Sequence, residues 1–271
     1  MKTFYKKRFI KIFPPYLFFC FLYIVIPPLI DGRSIVFSFE VFLNIFFDPW
    51  NFFYHFWYIA LIISFYLFYP LLVRIFVKFK DRLFLILIIS IFIQIIYRIY
   101  LIPIVFSLRS LSELLILYKV LNWLLEYLFL RYIAFFVLGV YISHNYEKLI
   151  LNGKYLYLSI IPVIIFNILS EFVYREYLEP FFSFSIIVLF LFLLKNKRSK
   201  FLEGISKYSY GMYLLHGIVL TYMGRTLNIY FNSWFFYLYA FILTLSISYI
   251  IIYGLSKIPK SHYFLGYVRR E

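Results

Sequence analysis

The chain has 271 residues, of which 65% are hydrophobic, 26% are aromatic and only 14% are charged, and its formal net charge is +15. A soluble domain is about half apolar and about a quarter charged, and a soluble fold of this size could not bury so many apolar side chains. This composition excludes an ordinary soluble enzyme and a disordered chain. The single cysteine, Cys20, excludes an intrachain disulfide and a thiolate metal cluster.

Apolar runs of about twenty residues recur along the chain, each bounded by charges, prolines or polar residues. A run of this length crosses a bilayer as an α-helix, because a helix satisfies its own backbone groups in lipid. The sequence therefore predicts an all-α, polytopic transmembrane helix bundle that forms one integral membrane domain over residues 1–271. The eight predicted spans lie at roughly 13–30, 56–73, 83–105, 123–143, 155–171, 180–194, 208–224 and 233–255.

The lysines and arginines are distributed asymmetrically between the two sides of this bundle. Eight spans place both termini on one side, and the segments on that side carry most of the 27 basic residues. The positive-inside rule therefore predicts that both termini are cytoplasmic. The same charge suits anionic lipid head groups as partners, and its placement beside spans argues against nucleic acid.

His216 is the polar residue whose predicted position most needs a reason. Its span enters the membrane near Tyr208, and eight residues of helix place the imidazole roughly 12 Å deep, near the middle of the bilayer. Ionisable groups at this depth are costly and mark functional sites, and a neutral imidazole can act there as a base or as a hydrogen-bond donor. The alternative is a histidine whose hydrogen bonds are satisfied by a neighbouring helix.

Arg8 and Lys11 lie one helical turn apart at the inner end of the first predicted span. Cations in this position could bind the phosphates of a cytosolic, nucleotide-bearing ligand. Taken without other evidence, the favoured alternative is plain positive-inside anchoring.

His55, Trp57 and Tyr58 lie at the outer end of the second predicted span. Aromatic faces with a polar edge suit sugar rings, which they bind by stacking and hydrogen bonding. The alternative is the belt of aromatic residues that membrane proteins place at the water interface.

Other ionisable residues fall inside predicted spans. For Glu126 and Arg131 in the fourth span, a structural ion pair with another helix is the favoured role. Arg98, between Tyr97 and Tyr100, is predicted to snorkel to the outer interface. The sequence contains no phosphate-binding glycine loop, paired-histidine zinc motif or nucleophile elbow, so no metal site is predicted.

Four segments, in matching order and spacing, resemble motifs of the acyltransferase 3 family of membrane proteins. The first is the basic run K-R-F-I-K-I-F-P-P-Y, which contains Arg8 and Lys11. The others are H-F-W-Y-I with the following F-Y-L-F-Y-P-L-L, then F-F-V-L-G, and finally S-K-Y-S-Y-G-M-Y-L-L-H, which ends at His216.

The resemblance implies an enzyme of the plasma membrane that moves an acyl group, commonly acetyl, from acyl-coenzyme A to a hydroxyl of a surface polysaccharide or glycolipid. Acyl-coenzyme A would be a co-substrate, and no permanently bound cofactor is implied. Under this hypothesis Arg8 and Lys11 hold the coenzyme's phosphates, and His216 and Tyr213 position or polarise the reacting groups. The acceptor would be contacted by the aromatic group at the second span, His55, Trp57 and Tyr58.

Members of this family usually have ten spans, and the first carries an arginine followed eleven positions later by a histidine thought to be catalytic. The sequence begins at what resembles the third span, so the resemblance implies a chain that is N-terminally short and lacks that histidine. Lys11 replaces the second arginine of the family's R-x-x-R with a point charge. Two alternatives stay open: an inactive truncated relic or membrane subunit that binds a glycolipid or a partner, and a transporter of lipid-linked sugars.

Overall fold

The computed structural model of the chain describes residues 2–47, 54–101, 103–104, 127–151, 175–193, 199–226 and 234–267. Within these ranges the chain forms helices joined by turns and contains no strand, which confirms the predicted all-α class. In chain order the helices are α1 (Lys2–Ile30), α2 (Phe39–Phe47), α3 (Trp57–Lys78), α4 (Leu83–Ile96), α5 (Ile133–His144), α6 (Tyr146–Leu151), α7 (Arg175–Leu193), α8 (Lys200–Thr226), α9 (Trp234–Leu255) and α10 (His262–Leu265).

Short turns lead into several of these helices. Single 3₁₀ turns at Tyr54–Phe56, Lys80–Arg82 and Phe129–Tyr132 precede α3, α4 and α5, and a π-helical turn at Tyr97–Leu101 continues α4. Prolines lie inside α1 and α3. Membrane helices tolerate them because neighbouring helices and side chains satisfy the backbone groups that proline leaves unpaired.

Four segments of the described chain are helical, long and apolar enough to cross a bilayer: Lys2–Ile30, Trp57–Lys78, Lys80–Leu101 and Leu238–Leu255. They coincide with the first, second, third and last predicted spans. Shorter apolar helices at the fourth and sixth predicted spans cover Phe129–His144 and Phe182–Leu193. The seventh lies within α8, and the fifth lies outside the described residues. The count of eight spans and the cytoplasmic termini stay predictions.

The chain divides into two compact units. The terminal unit contains Met1–Tyr58 and Arg198–Glu271, and the central unit contains Ile59–Lys197. In the terminal unit α8 packs along α9, and α1 packs against α8 and α10. Gly211 on α8 allows this close packing, because a Cβ there would lie 3.2 Å from Ile252 and 3.1 Å from the backbone oxygen of Leu265.

In the central unit α5 packs against α4 and α7. The side-chain oxygen of Gln94 accepts the backbone N–H of Ala134 at 3.2 Å. Arg98 is only 7% exposed, and its guanidinium carbon lies 5.5 Å from the centre of the Tyr132 ring. The prediction that Arg98 snorkels outward is therefore wrong, because the half-buried ring of Tyr132 offers the cation a partner inside the protein.

Arg131 contacts the ring of Tyr132 as well. Its guanidinium carbon is 5.6 Å from the Tyr132 ring centre. Glu126, the other residue of the fourth span that was predicted to form an ion pair with another helix, lies outside the described residues.

Candidate functional site

A pair of histidines lies where the Tyr54–Phe56 turn meets α8 in the terminal unit. His55 is 4% exposed, and its ring centre lies 4.7 Å from that of His216. Tyr213, one turn before His216 on α8, has its ring centre 5.9 Å from that of His55 and 5.5 Å from that of His216. Two of the chain's four histidines are thus adjacent, although they are far apart in sequence.

Hydrogen bonds to backbone carbonyls hold this pair. The hydroxyl of Tyr213 donates to the carbonyl of His55, and Nδ1 of His216 is hydrogen-bonded to the carbonyl of Tyr213. Because a carbonyl oxygen only accepts, Nδ1 of His216 must carry the proton. The neutral ring then has its lone pair on Nε2, which is the tautomer that can accept a proton there.

Tyr23 on α1 is a member of the site that the sequence analysis missed. Its hydroxyl accepts the backbone N–H of Ile218 at 3.0 Å and lies 3.1 Å from Nε2 of His55. The hydroxyl can therefore donate its own proton to that nitrogen. A tyrosine in an apolar span needs a polar partner for its hydroxyl when it is buried, and Tyr23 is only 3% exposed. The sequence signal for Tyr23 is its position in the middle of the first predicted span.

Gly217 lets α8 approach the buried imidazole. A Cβ at this position would lie 2.5 Å from the hydroxyl oxygen of Tyr23 and 2.8 Å from Nδ1 of His55. Any larger side chain would force Tyr23 and His55 away from α8. A glycine directly after His216, in a chain with only nine glycines, was the sequence signal for this contact.

His55 precedes the second candidate span and is enclosed by aromatic side chains. Burial, together with the adjacent His216, lowers the pKa of His55 to about 3. His55 is therefore neutral at physiological pH. A neutral ring beside His216 means that the pair can take up one proton without placing two charges side by side.

His216 and Tyr213 also line a mostly apolar cavity of about 240 Å³ between α8 and α9. Met212, Thr244 and Ser248 form part of its wall. The hydroxyl of Ser248 is buried and has no hydrogen-bond partner among the residues that the structure describes. The cavity therefore combines an imidazole with a hydroxyl that can donate a hydrogen bond. Within the same described part of the chain, no group of three metal-ligating side chains comes together.

The structure separates His55 from the other two residues of the predicted acceptor-binding group. Tyr58 is 43% exposed, with its ring centre 5.4 Å from that of Tyr213, and Trp57 is half-buried. His55 is instead enclosed between Tyr23 and α8. Trp57 and Tyr58 are the more accessible members of this group, and the acceptor-binding role of His55, Trp57 and Tyr58 stays a prediction.

Arg8 and Lys11 line a second pocket, of about 450 Å³, at the beginning of α1. Lys7 and the C-terminal residues His262 and Tyr263 contribute to the same pocket. The structure thus brings the two predicted phosphate-binding residues together, but not next to the histidine pair. Fifteen residues of α1 separate Arg8 from Tyr23, which is about 22 Å along a helix.

Replacing Tyr23 with phenylalanine should destabilise the terminal unit. Tyr23→Phe leaves the Ile218 N–H and His55 Nε2 without this buried partner, at an expected cost of about 1–3 kcal/mol in the free energy of unfolding. The measurement is the Tm of the detergent-purified chain. Tyr239→Phe is the matched control, since Tyr239 is 51% exposed on α9 and should leave the Tm unchanged. Equal Tm values for the two variants would contradict the assigned hydrogen bonds.

Residues 1–253 match the family model Acyltransferase domain, the model of the acyltransferase 3 family. No curated protein and no solved structure matches the chain significantly. The matched range includes Arg8, His55 and His216 and ends within α9, so α10 lies beyond it.

Proposed function

The chain belongs to the acyltransferase 3 family, and on that premise we propose that it is an O-acyltransferase of the plasma membrane. It would move an acyl group, most commonly acetyl, from acyl-coenzyme A to a hydroxyl of a cell-surface polysaccharide or glycolipid. Apolar helices long enough to span a bilayer support the membrane location. The observation that carries the proposal is the His55–His216 pair beside the cavity between α8 and α9.

The transfer needs a base, and His216 is our candidate. The acceptor oxygen attacks the thioester carbonyl carbon while its proton passes to Nε2 of His216. The tetrahedral intermediate then expels the coenzyme's sulfur, which takes up that proton, so an ester and free coenzyme A are formed. The Tyr213 carbonyl, bonded to Nδ1–H, would stabilise the imidazolium between the two steps.

Two further hydroxyl groups fit this scheme. The Ser248 hydroxyl in the cavity wall is a candidate donor to the oxyanion of the intermediate. The Tyr213 hydroxyl donates to the carbonyl of His55. We therefore assign Tyr213 to positioning the two histidines, and propose that Trp57 and Tyr58 face the acceptor.

The separation between the cations of α1 and the histidine pair supports a donor with a long arm. On α1, Lys11 of the basic pocket lies about 18 Å and Arg8 about 22 Å from Tyr23, the tyrosine that contacts His55. A ligand that used both sites would need phosphates and a reactive group joined by an extended, flexible chain. Acyl-coenzyme A has this form, with its phosphates and its thioester at opposite ends of the pantetheine arm.

Labelled acetyl-coenzyme A tests the proposal. Membranes that contain the full chain, incubated with the labelled donor and a glycan or glycolipid fraction, are expected to form a base-labile labelled ester and an equal amount of free coenzyme A. Membranes from cells with the empty vector are the control. Absence of label above this control would contradict a transferase and favour an inactive membrane subunit. Movement of lipid-linked sugar across vesicles without any acyl donor would instead favour a transporter.

A further inference from the structure

The residues His262–Tyr267, here called the C-terminal strap, form one wall of the basic pocket at the beginning of α1. They follow the range that matches the family. We propose that the strap makes this pocket a nucleotide-binding site, in which the cations of α1 bind phosphates and the ring of Tyr263 stacks on the base. The identification of the nucleotide as that of acyl-coenzyme A rests on the proposed function.

The strap is fastened to α1 and α8 by specific contacts. Leu265 is 2% exposed, and Gly266 adopts a left-handed φ of +70°, with its N–H donating to the carbonyl of His262 at 3.0 Å. A Cβ at Gly266 would overlap the ring of Tyr210 and would lie 3.2 Å from the carbonyl oxygen of Lys11. A glycine is therefore required where the strap crosses α1.

Tyr267 fixes the end of the strap. Its hydroxyl lies 2.9 Å from the hydroxyl of Ser261 and donates to the carbonyl of Ser256 at 3.1 Å. The ammonium of Lys207 lies 5.2 Å from its ring centre. Because these contacts hold the wall in place, a ligand would not have to order it on binding.

The chemistry of the two walls is complementary. Lys7, Arg8 and Lys11 contribute three cations from α1, and none of the described residues that line the pocket is acidic. On the strap, the rings of His262 and Tyr263 have their centres 4.1 Å apart, and Tyr263 is 48% exposed. Cations bind phosphate groups, and exposed aromatic faces stack on nucleobases.

A phosphate could come from two sources at this position, a nucleotide or an anionic lipid head group. Both would satisfy the cations of α1. A nucleotide would in addition stack its base on an aromatic ring of the opposite wall, and the strap presents one. The observations therefore favour the nucleotide, and the two sources can be separated by the contribution of Tyr263.

The test uses the full chain in nanodiscs of phosphatidylcholine, with calorimetric titration of coenzyme A and of pantetheine, which lacks the nucleotide. Tyr263→Ala is expected to raise the Kd for coenzyme A roughly tenfold by loss of stacking, whereas Tyr263→Phe retains wild-type affinity. Lys11→Gln is also expected to weaken binding. None of these variants should change the weak binding of pantetheine. Tyr239→Ala, on an exposed face of α9, is the control with unchanged affinity.

Binding does not require turnover, so the two proposals can fail separately. If the chain binds coenzyme A in a Tyr263-dependent manner but transfers no acyl group, the strap is supported and the proposed function is contradicted. If Tyr263→Ala binds coenzyme A as tightly as the wild type, the role of the strap is overturned. It is also overturned if coenzyme A does not bind while phosphatidylglycerol in the nanodisc binds in a Lys11-dependent manner, because the pocket is then a lipid site.

Discussion

Replacing His216 with alanine is expected to lower acyl transfer about 10²- to 10⁴-fold, which is the usual contribution of a general base. The variant removes the imidazole whose Nδ1 is hydrogen-bonded to the Tyr213 carbonyl and whose Nε2 would accept the acceptor proton. Coenzyme A binding should be retained, because His216 does not line the basic pocket at the beginning of α1. The measurement is the rate of labelled ester formation at saturating acetyl-coenzyme A.

His144→Ala is the matched control for this experiment. His144 is an exposed histidine at the end of α5 in the central unit, and its replacement should leave the rate unchanged. Equal ester formation by His216→Ala and the wild type would remove His216 from the mechanism.

The substitution His55→Gln tests whether His216, rather than the adjacent His55, is the base that titrates. Because the pKa of His55 is lowered to about 3, this residue stays neutral between about pH 5 and pH 8 and does not titrate in that range. The variant should therefore lower the rate without changing the shape of the pH–rate profile. A loss of an ionisation from that profile would show that His55, rather than His216, is the group that titrates.

Gly217→Ala is expected to abolish the arrangement of the two histidines. Alanine in place of glycine inside a helix usually stabilises it by up to about 1 kcal/mol. Here the added methyl group would lie 2.5 Å from the hydroxyl oxygen of Tyr23 and against the ring of His55. Overpacking of this kind costs about 1–3 kcal/mol or more. We therefore expect a Tm at least as low as that of Tyr23→Phe, together with a loss of transfer.

The chain offers two matched controls for this substitution. Gly139 on α5 and Gly254 on α9 are also helical, and beyond its own helix backbone a Cβ at either position would meet no atom of the described residues within 4 Å. Gly139→Ala and Gly254→Ala should keep or raise the Tm and retain transfer. If Gly217→Ala behaves like these two variants, α8 does not approach the histidine pair as closely as the structure indicates.

Much of the fold follows from local physical chemistry. Apolar runs of about twenty residues form helices because lipid leaves no other partner for the backbone, and the structure confirms helices at the first three and the last predicted spans. The family was likewise recognisable, because its motifs are short runs that include Arg8, His55 and His216. These features depend on residues that are close in sequence.

Residues adjacent in sequence can nevertheless be separated by the fold. His55, Trp57 and Tyr58 formed one predicted group, but the chain changes from a 3₁₀ turn to a helix between His55 and Trp57. The imidazole is therefore buried while Tyr58 is exposed. Arg98 was similarly expected at the interface and lies instead on the ring of Tyr132, a partner from a distant turn.

The sequence by itself determined the helical class, the family and a histidine in the seventh predicted span, because these depend on composition and on short motifs. Only the tertiary structure decided that His55 and Tyr23 share a site with His216, that Gly217 makes room for them, and that α10 closes the basic pocket. The physical reason is that contacts between distant helices depend on how their surfaces pack, and packing is not encoded in the periodicity of any single segment.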